Sequence, residues 1–298
     1  MTAEALVLGG GGQLGRELAR TPPPAGWTVR AVPRADVDIT DRAAIERLLD
    51  ESPQVRAIIN AAAYTAVDRA ESDREAAFAV NATAPGMLAA ACAARDLPLV
   101  HVSTDYVFDG ESERPWREDD PIAPLGVYGQ SKAAGEEAVR RACERHVIVR
   151  TSWVFGVLGA NFVRTMLRLA GERPSLTVVD DQTGCPTWTG NLARVLLEIA
   201  RQAEAGDPAR FGTFHYADEG PVTWCGFARA IFERAGRLGV PVPEVRPIAT
   251  TDYPTPARRP RYSVLSTEKI ENSYGIVRGR WSDGLDRSIA ELLEQRER

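Results

Sequence analysis

The sequence predicts an α/β fold, a doubly wound parallel sheet followed by a smaller C-terminal substrate-binding lobe. Three observations carry this reading. Short apolar runs alternate with helical patterns through the first half of the chain, and a glycine-rich turn follows the first run. Beyond about residue 155 the alternation loses regularity and proline and glycine thicken. Strands alternating with helices form right-handed βαβ units and hence a parallel sheet. No repeat with a period of roughly 20–50 residues recurs, which excludes a solenoid or propeller.

Strands are expected at 5–8, 28–32, 56–60, 98–103 and 146–150, with helices at 42–51, 74–94 and 129–144 between them. We assign 1–155 to a dinucleotide-binding domain and 156–298 mainly to a substrate lobe, with a return to the sheet near 187–225. The best candidate for that return is a helix over 187–203, with Thr187 as its cap and Leu192, Val195, Leu196 and Ile199 on one face. The segment from Tyr253 to Pro260 has too many prolines for a regular helix.

Bulk properties narrow the function classes. A net charge of −5 and a pI near 5.5 speak against a nucleic-acid or membrane-surface protein. No apolar run stands out near the roughly 18 residues that a membrane helix needs. The chain enters its first strand with no basic leader, so the cytoplasm is the expected compartment. Cys92, Cys143, Cys185 and Cys225 form no Cys-x-x-Cys pair, and His101, His146 and His215 are scattered. Neither a disulfide scaffold nor a zinc site is expected.

Gly9-Gly10-Gly11-Gly12-Gln13-Leu14-Gly15 follows the first strand and opens a helix. Gly9, Gly12 and Gly15 give the spacing Gly-x-x-Gly-x-x-Gly. That context lets a backbone turn approach a pyrophosphate, with the helix N-terminus supplying N–H groups. The second strand runs into Pro33-Arg34 rather than a carboxylate. Arg34 is placed to face the extra phosphate of NADP, so NADPH is favoured, with NADH as the alternative. Asp38 and Ile39 would border the adenine. After the third strand, the small residues around Ala62, Ala63 and Thr65 leave room for a cofactor.

Tyr128-Gly129-Gln130-Ser131-Lys132 places a phenol and an ammonium one helical turn apart. A lysine charge at about 4 Å would be worth up to about 4 kcal/mol at an effective dielectric of 20. Lys132 is therefore expected to lower the Tyr128 pKa and let it exchange a proton with a substrate oxygen.

The glycine turn, Asn60-Ala61-Ala62-Ala63, Ser103-Thr104-Asp105 and Tyr128-x-x-x-Lys132 come in an order that resembles the extended short-chain dehydrogenase/reductase family. Longer blocks sharpen the likeness: Asn60 through Glu71, Ser103 through Phe108, Arg150-Thr151-Ser152-Trp153-Val154 and Tyr253 through Pro260. They are similar to the dTDP-4-dehydrorhamnose reductases over nearly the whole chain. The resemblance implies a Rossmann-type domain and NAD(P)H-dependent reduction of the 4-keto group of dTDP-4-dehydro-β-L-rhamnose to dTDP-β-L-rhamnose. By the same resemblance, Tyr128 donates the proton, Lys132 holds the nicotinamide ribose and Thr104 binds the ketone oxygen. Asn81 lies near the active-site helix, while Asp105, Trp153 and Arg258 contact the sugar nucleotide.

Dehydratases of this superfamily carry an Asp-Glu pair after the active-site Thr, whereas here Asp105 is followed by Tyr106. An epimerase, or an NADP-binding regulatory subunit without turnover, is the alternative reading. Some relatives dimerise through a metal held by glutamates. Glu17 and Glu291 match two such positions, but the third is Asn191. No magnesium is expected, and a homodimer is compatible with the sequence.

Overall fold

The computed structural model describes residues 2–295. Six parallel strands form the central sheet: β1 (Ala3–Leu8), β2 (Trp27–Val32), β3 (Val55–Asn60), β4 (Leu99–Thr104), β5 (His146–Thr151) and β6 (Gly212–His215). Their spatial order is β6-β5-β4-β3-β1-β2. The chain runs outward from β1 to β2 and then crosses back to β3. This reversal opens a crevice beyond the carboxyl ends of β1 and β3, where α/β sheets hold their ligands.

Side chains alternate across β1, and each face builds its own core. Ala5 and Val7 join Leu18 and Leu196 on one side; Leu6 and Leu8 join Ile45 and Leu88 on the other. The first face is covered by α1 (Gln13–Arg20). The second is covered by α2 (Arg42–Asp50), α3 (Arg74–Ala93) and α4 (Val127–Ala142). Further along the chain come α5 (Phe162–Ala170), α6 (Thr189–Glu204), α7 (Trp224–Arg237) and α8 (Trp281–Glu294). α6 packs beside α1 on the first face. α5, α7 and α8 instead enclose a separate core around Phe155, Phe227, Ile231 and Ile289.

Three details depart from the sequence expectation. Thr187 is not a helix cap: it is buried and pairs with Val154 in a two-residue ladder, and α6 starts two residues later. The cap position falls to Trp188, whose N–H is held by Asp218 at 2.9 Å. β6 was not foreseen, because four residues following a proline and a glycine give little periodic signal. Finally, α3 is long and apolar enough, by length and composition, to cross a membrane. Half of its most apolar stretch is buried, with Leu88, Ala89 and Cys92 in the sheet core.

Candidate active site

A cleft of about 560 Å³ opens at the carboxyl ends of the sheet, where β1 turns into α1. Gly9, Gly12, Gln13 and Leu14 line it from the glycine turn, Arg34, Asp38 and Ile39 from beyond β2, and Ala62, Ala63 and Thr65 from beyond β3. Thr104, Asp105, Tyr128, Lys132 and Trp153 close the other end. Segments separated by up to about half the chain thus converge on one cavity. Gly15 lies behind the loop, and Arg258 is exposed and does not line the cleft. The neighbouring Arg259 is the one turned inward, bonded to Asp68 at 2.8 Å.

The glycine end fits a dinucleotide. Gly9 has a φ of +85°, and a Cβ there would come within 2.6 Å of the Ala62 backbone nitrogen. The α1 N-terminus carries no side-chain cap, so its first N–H groups stay open to a ligand. Arg34 is already committed: its guanidinium bonds Asp38 at 2.9 Å. Hydrogen bonds from Thr40, followed by Arg34, hold the Asp38 carboxyl below its ordinary range.

At the opposite end, α4 carries Tyr128 and Lys132. The helix sits close against the segment after β4, since a Cβ on Gly129 would lie 2.2 Å from the Tyr106 carbonyl. The Tyr106 ring meets Tyr128 edge-on at 5.4 Å. Burial pushes the Tyr128 phenol up to about 12; Thr104 opposes this and the Asp105 charge reinforces it. This corrects the expectation that Lys132 brings that pKa down. The ammonium donates to the Val102 carbonyl at 2.8 Å and rests against His101, rather than bonding the phenol. Burial lowers Lys132 itself to about 8, against the pull of Glu136.

Thr104 donates to Asp105 Oδ1 at 3.0 Å, while Asp105 Oδ2 is buried and, among the described residues, meets no donor in full hydrogen-bond geometry, although the nearby Ser263 hydroxyl also favours the charged carboxylate. Burial raises this carboxyl to about 6. Trp153 holds a left-handed backbone at φ +48°, which is rare for a bulky residue. Its ring stacks on Trp224 with centroids 3.5 Å apart.

Asn81 does not line the cleft. It sits in a π-helical turn, Ala79–Thr83, within α3. Its side chain accepts from Tyr64 N–H at 2.8 Å and donates to the Tyr64 carbonyl and to Ser131 Oγ, both at 3.0 Å. Asn81 thereby ties the loop after β3 to the Tyr128 helix.

Sequence reading missed a buried network beneath the site. Glu136, one turn beyond Lys132, accepts from Arg150 at 2.7 Å and from Ser103 at 2.6 Å. The i, i+4, i+8 spacing of Tyr128, Lys132 and Glu136 was the available signal. Trp224 had none, because its stacking partner Trp153 lies in a distant part of the sequence.

The candidate magnesium residues do not fit a cation. Arg20 bridges Glu17 at 3.0 Å and Glu291 at 2.7 Å, placing its own positive charge between them. The other Glu17 oxygen accepts from Thr189, and Asn191 bonds Asp218 and Arg194.

The chain is similar to known proteins over nearly its whole length. The family model described as the RmlD substrate binding domain matches residues 3–294. A dTDP-4-dehydrorhamnose reductase of Aggregatibacter actinomycetemcomitans is 44% identical over 287 residues, covering 95% of this chain and 97% of that protein. A crystal structure of the Clostridium acetobutylicum enzyme of that name superposes with a TM-score of 0.90 at 37% identity, covering 97% of this chain and 99% of that one. The Bacillus anthracis enzyme, solved in complex with NADP, gives 0.89 at 33% identity, covering 98% and 100%.

Proposed function

We propose that this chain, which belongs to the RmlD substrate binding domain family of dTDP-4-dehydrorhamnose reductases, reduces the 4-keto group of dTDP-4-dehydro-β-L-rhamnose to dTDP-β-L-rhamnose. The observation that carries this reading is the single cleft that joins a dinucleotide cradle to Thr104, Tyr128 and Lys132. A bound NADPH or NADH supplies the hydride. The glycine turn and Ala62, Ala63 and Thr65 would hold it, with Arg34, Asp38 and Ile39 at its adenosine end.

The protein's own task is to orient the ketone and neutralise the charge that develops on its oxygen, usually the largest catalytic contribution. Thr104 and Tyr128 offer two hydroxyls at one end of the cleft. A phenol pushed up to about 12 is still protonated at neutral pH. That is the form a reductase needs, since the nascent alkoxide is a strong enough base to take the proton. Lys132 would hold the ribose, and Trp153 with Asp105 would line the sugar site. Residues 1–155, with the return near 187–225, would serve the cofactor, and the rest of 156–298 mainly the sugar nucleotide. The reaction needs no metal ligand from the chain.

The test is loss of NADPH absorbance on addition of dTDP-4-dehydrorhamnose to purified protein. Stoichiometric oxidation with formation of dTDP-rhamnose is expected. A folded chain that binds NADPH without oxidising it would be a binding-only subunit, and the proposal would fail.

A further inference from the structure

We propose that His101 is a positioning residue: its ring, locked by Asn60 into one tautomer, sets the charge state of Lys132. The lock follows from donor and acceptor chemistry. The Ala62 N–H is a donor by covalent structure and reaches Asn60 Oδ1 at 3.1 Å. The amide is thereby fixed, and its Nδ2 faces His101 Nδ1 at 3.1 Å. An amide nitrogen has only hydrogens to give, so Nδ1 must accept. In the neutral ring the remaining proton is therefore on Nε2. That nitrogen faces Lys132 Nζ at 3.4 Å.

Lys132 also donates to the Val102 carbonyl. A neutral amine there has a lone pair for the His101 Nε2–H. An ammonium has only another N–H to set against it. Protonating His101 offers no escape, because it would aim Nδ1–H at the Asn60 amide hydrogens. The ring is wholly enclosed, and burial, reinforced by the Lys132 charge, holds its pKa well below the ordinary histidine value.

On its own helix Lys132 has Glu136, whose charge favours the ammonium, and Tyr128 one turn away; from β5, His146 adds to the charge that lowers His101. The Glu136 oxygens, however, are shared with Arg150, Arg140 and Ser103. Burial likewise brings Lys132 down to about 8. The ammonium that would hold the ribose is then a pH-dependent population, present below this value and lost as pH rises through it. This kinetic consequence rests on the reductase reading above; the tautomer does not.

Imidazole 15N spectroscopy on the full chain tests the lock directly. The chain has three histidines, and the His101→Gln spectrum assigns the His101 signals by their loss. A pyridine-like Nδ1 and a pyrrole-like Nε2, unchanged from about pH 6 to pH 9, are expected. The opposite tautomer, or titration in that range, overturns the proposal. Asn60→Asp then supplies an acceptor for Nδ1–H and turns the Nε2 lone pair toward Lys132. The basic limb of kcat/KM should rise by about one pH unit, the equivalent of about 1.4 kcal/mol. His101→Gln, which can turn its amide oxygen to the ammonium, should move the limb the same way. A limb unmoved in both folded variants refutes control by His101. If the chain binds NADPH without turnover, the reductase reading fails separately, and the same limb is read in the pH dependence of NADPH affinity.

Discussion

The two ends of the cleft are made of different material. At the glycine end the ligand-facing groups are mostly backbone: a tight turn, open N–H groups and small residues after β3. At the Trp153 end they are side chains in costly states: a phenol and a carboxyl with pKa values raised by burial, a lysine lowered by it, an unpartnered Asp105 oxygen and a left-handed tryptophan. A backbone cradle binds whatever dinucleotide fits it. Buried, under-satisfied polar groups are a reservoir of free energy that a substrate or transition state can draw on. The difference teaches where discrimination and catalysis are concentrated.

Three experiments test this contrast, beginning with the largest expected effect. Tyr128→Phe removes the proton donor and leaves the cradle intact. Its kcat should fall by about a thousandfold, within the usual range for general acids, while NADPH affinity by fluorescence titration stays within about twofold. Substantial remaining activity would assign proton donation elsewhere.

Asp105→Asn probes the stored cost at the sugar end. The folded carboxyl has its pKa raised from 3.8 to about 6, so it binds its proton more tightly than in the unfolded chain. Its favourable contribution is present below 3.8 and is lost as pH rises through about 6. The variant should therefore be more stable than wild type above that pH, by up to about 3 kcal/mol in denaturant melts, with the gap closing near pH 4. A variant less stable at pH 8 would show that the ionised carboxylate is well accommodated.

The smallest effect belongs to the glycine end. Arg34 is an exposed side chain already paired with Asp38, so its contribution to the extra phosphate of NADP is limited by exchange of partners. Arg34→Ala should raise the KM for NADPH by about fivefold, roughly 1 kcal/mol, and leave NADH unchanged. Equal effects on both cofactors would remove Arg34 from cofactor selection.

What the sequence by itself determined is whatever local rules encode. Alternating apolar runs dictated the parallel sheet, with expected boundaries close to those observed in five of its six strands. The glycine turn was legible because a φ of +85° against the Ala62 backbone admits only glycine. Tyr128 and Lys132 were legible because one helical turn separates them. Tertiary structure alone decided what depends on distant partners. It moved the α6 cap from Thr187 to Trp188 through Asp218, turned Arg259 rather than Arg258 inward, and supplied Trp224 as the support for Trp153. Above all it reversed the direction of the Tyr128 shift. A spacing of four residues fixes which side chains are neighbours, but burial, and the partners each finds across the fold, fix how tightly each holds its proton.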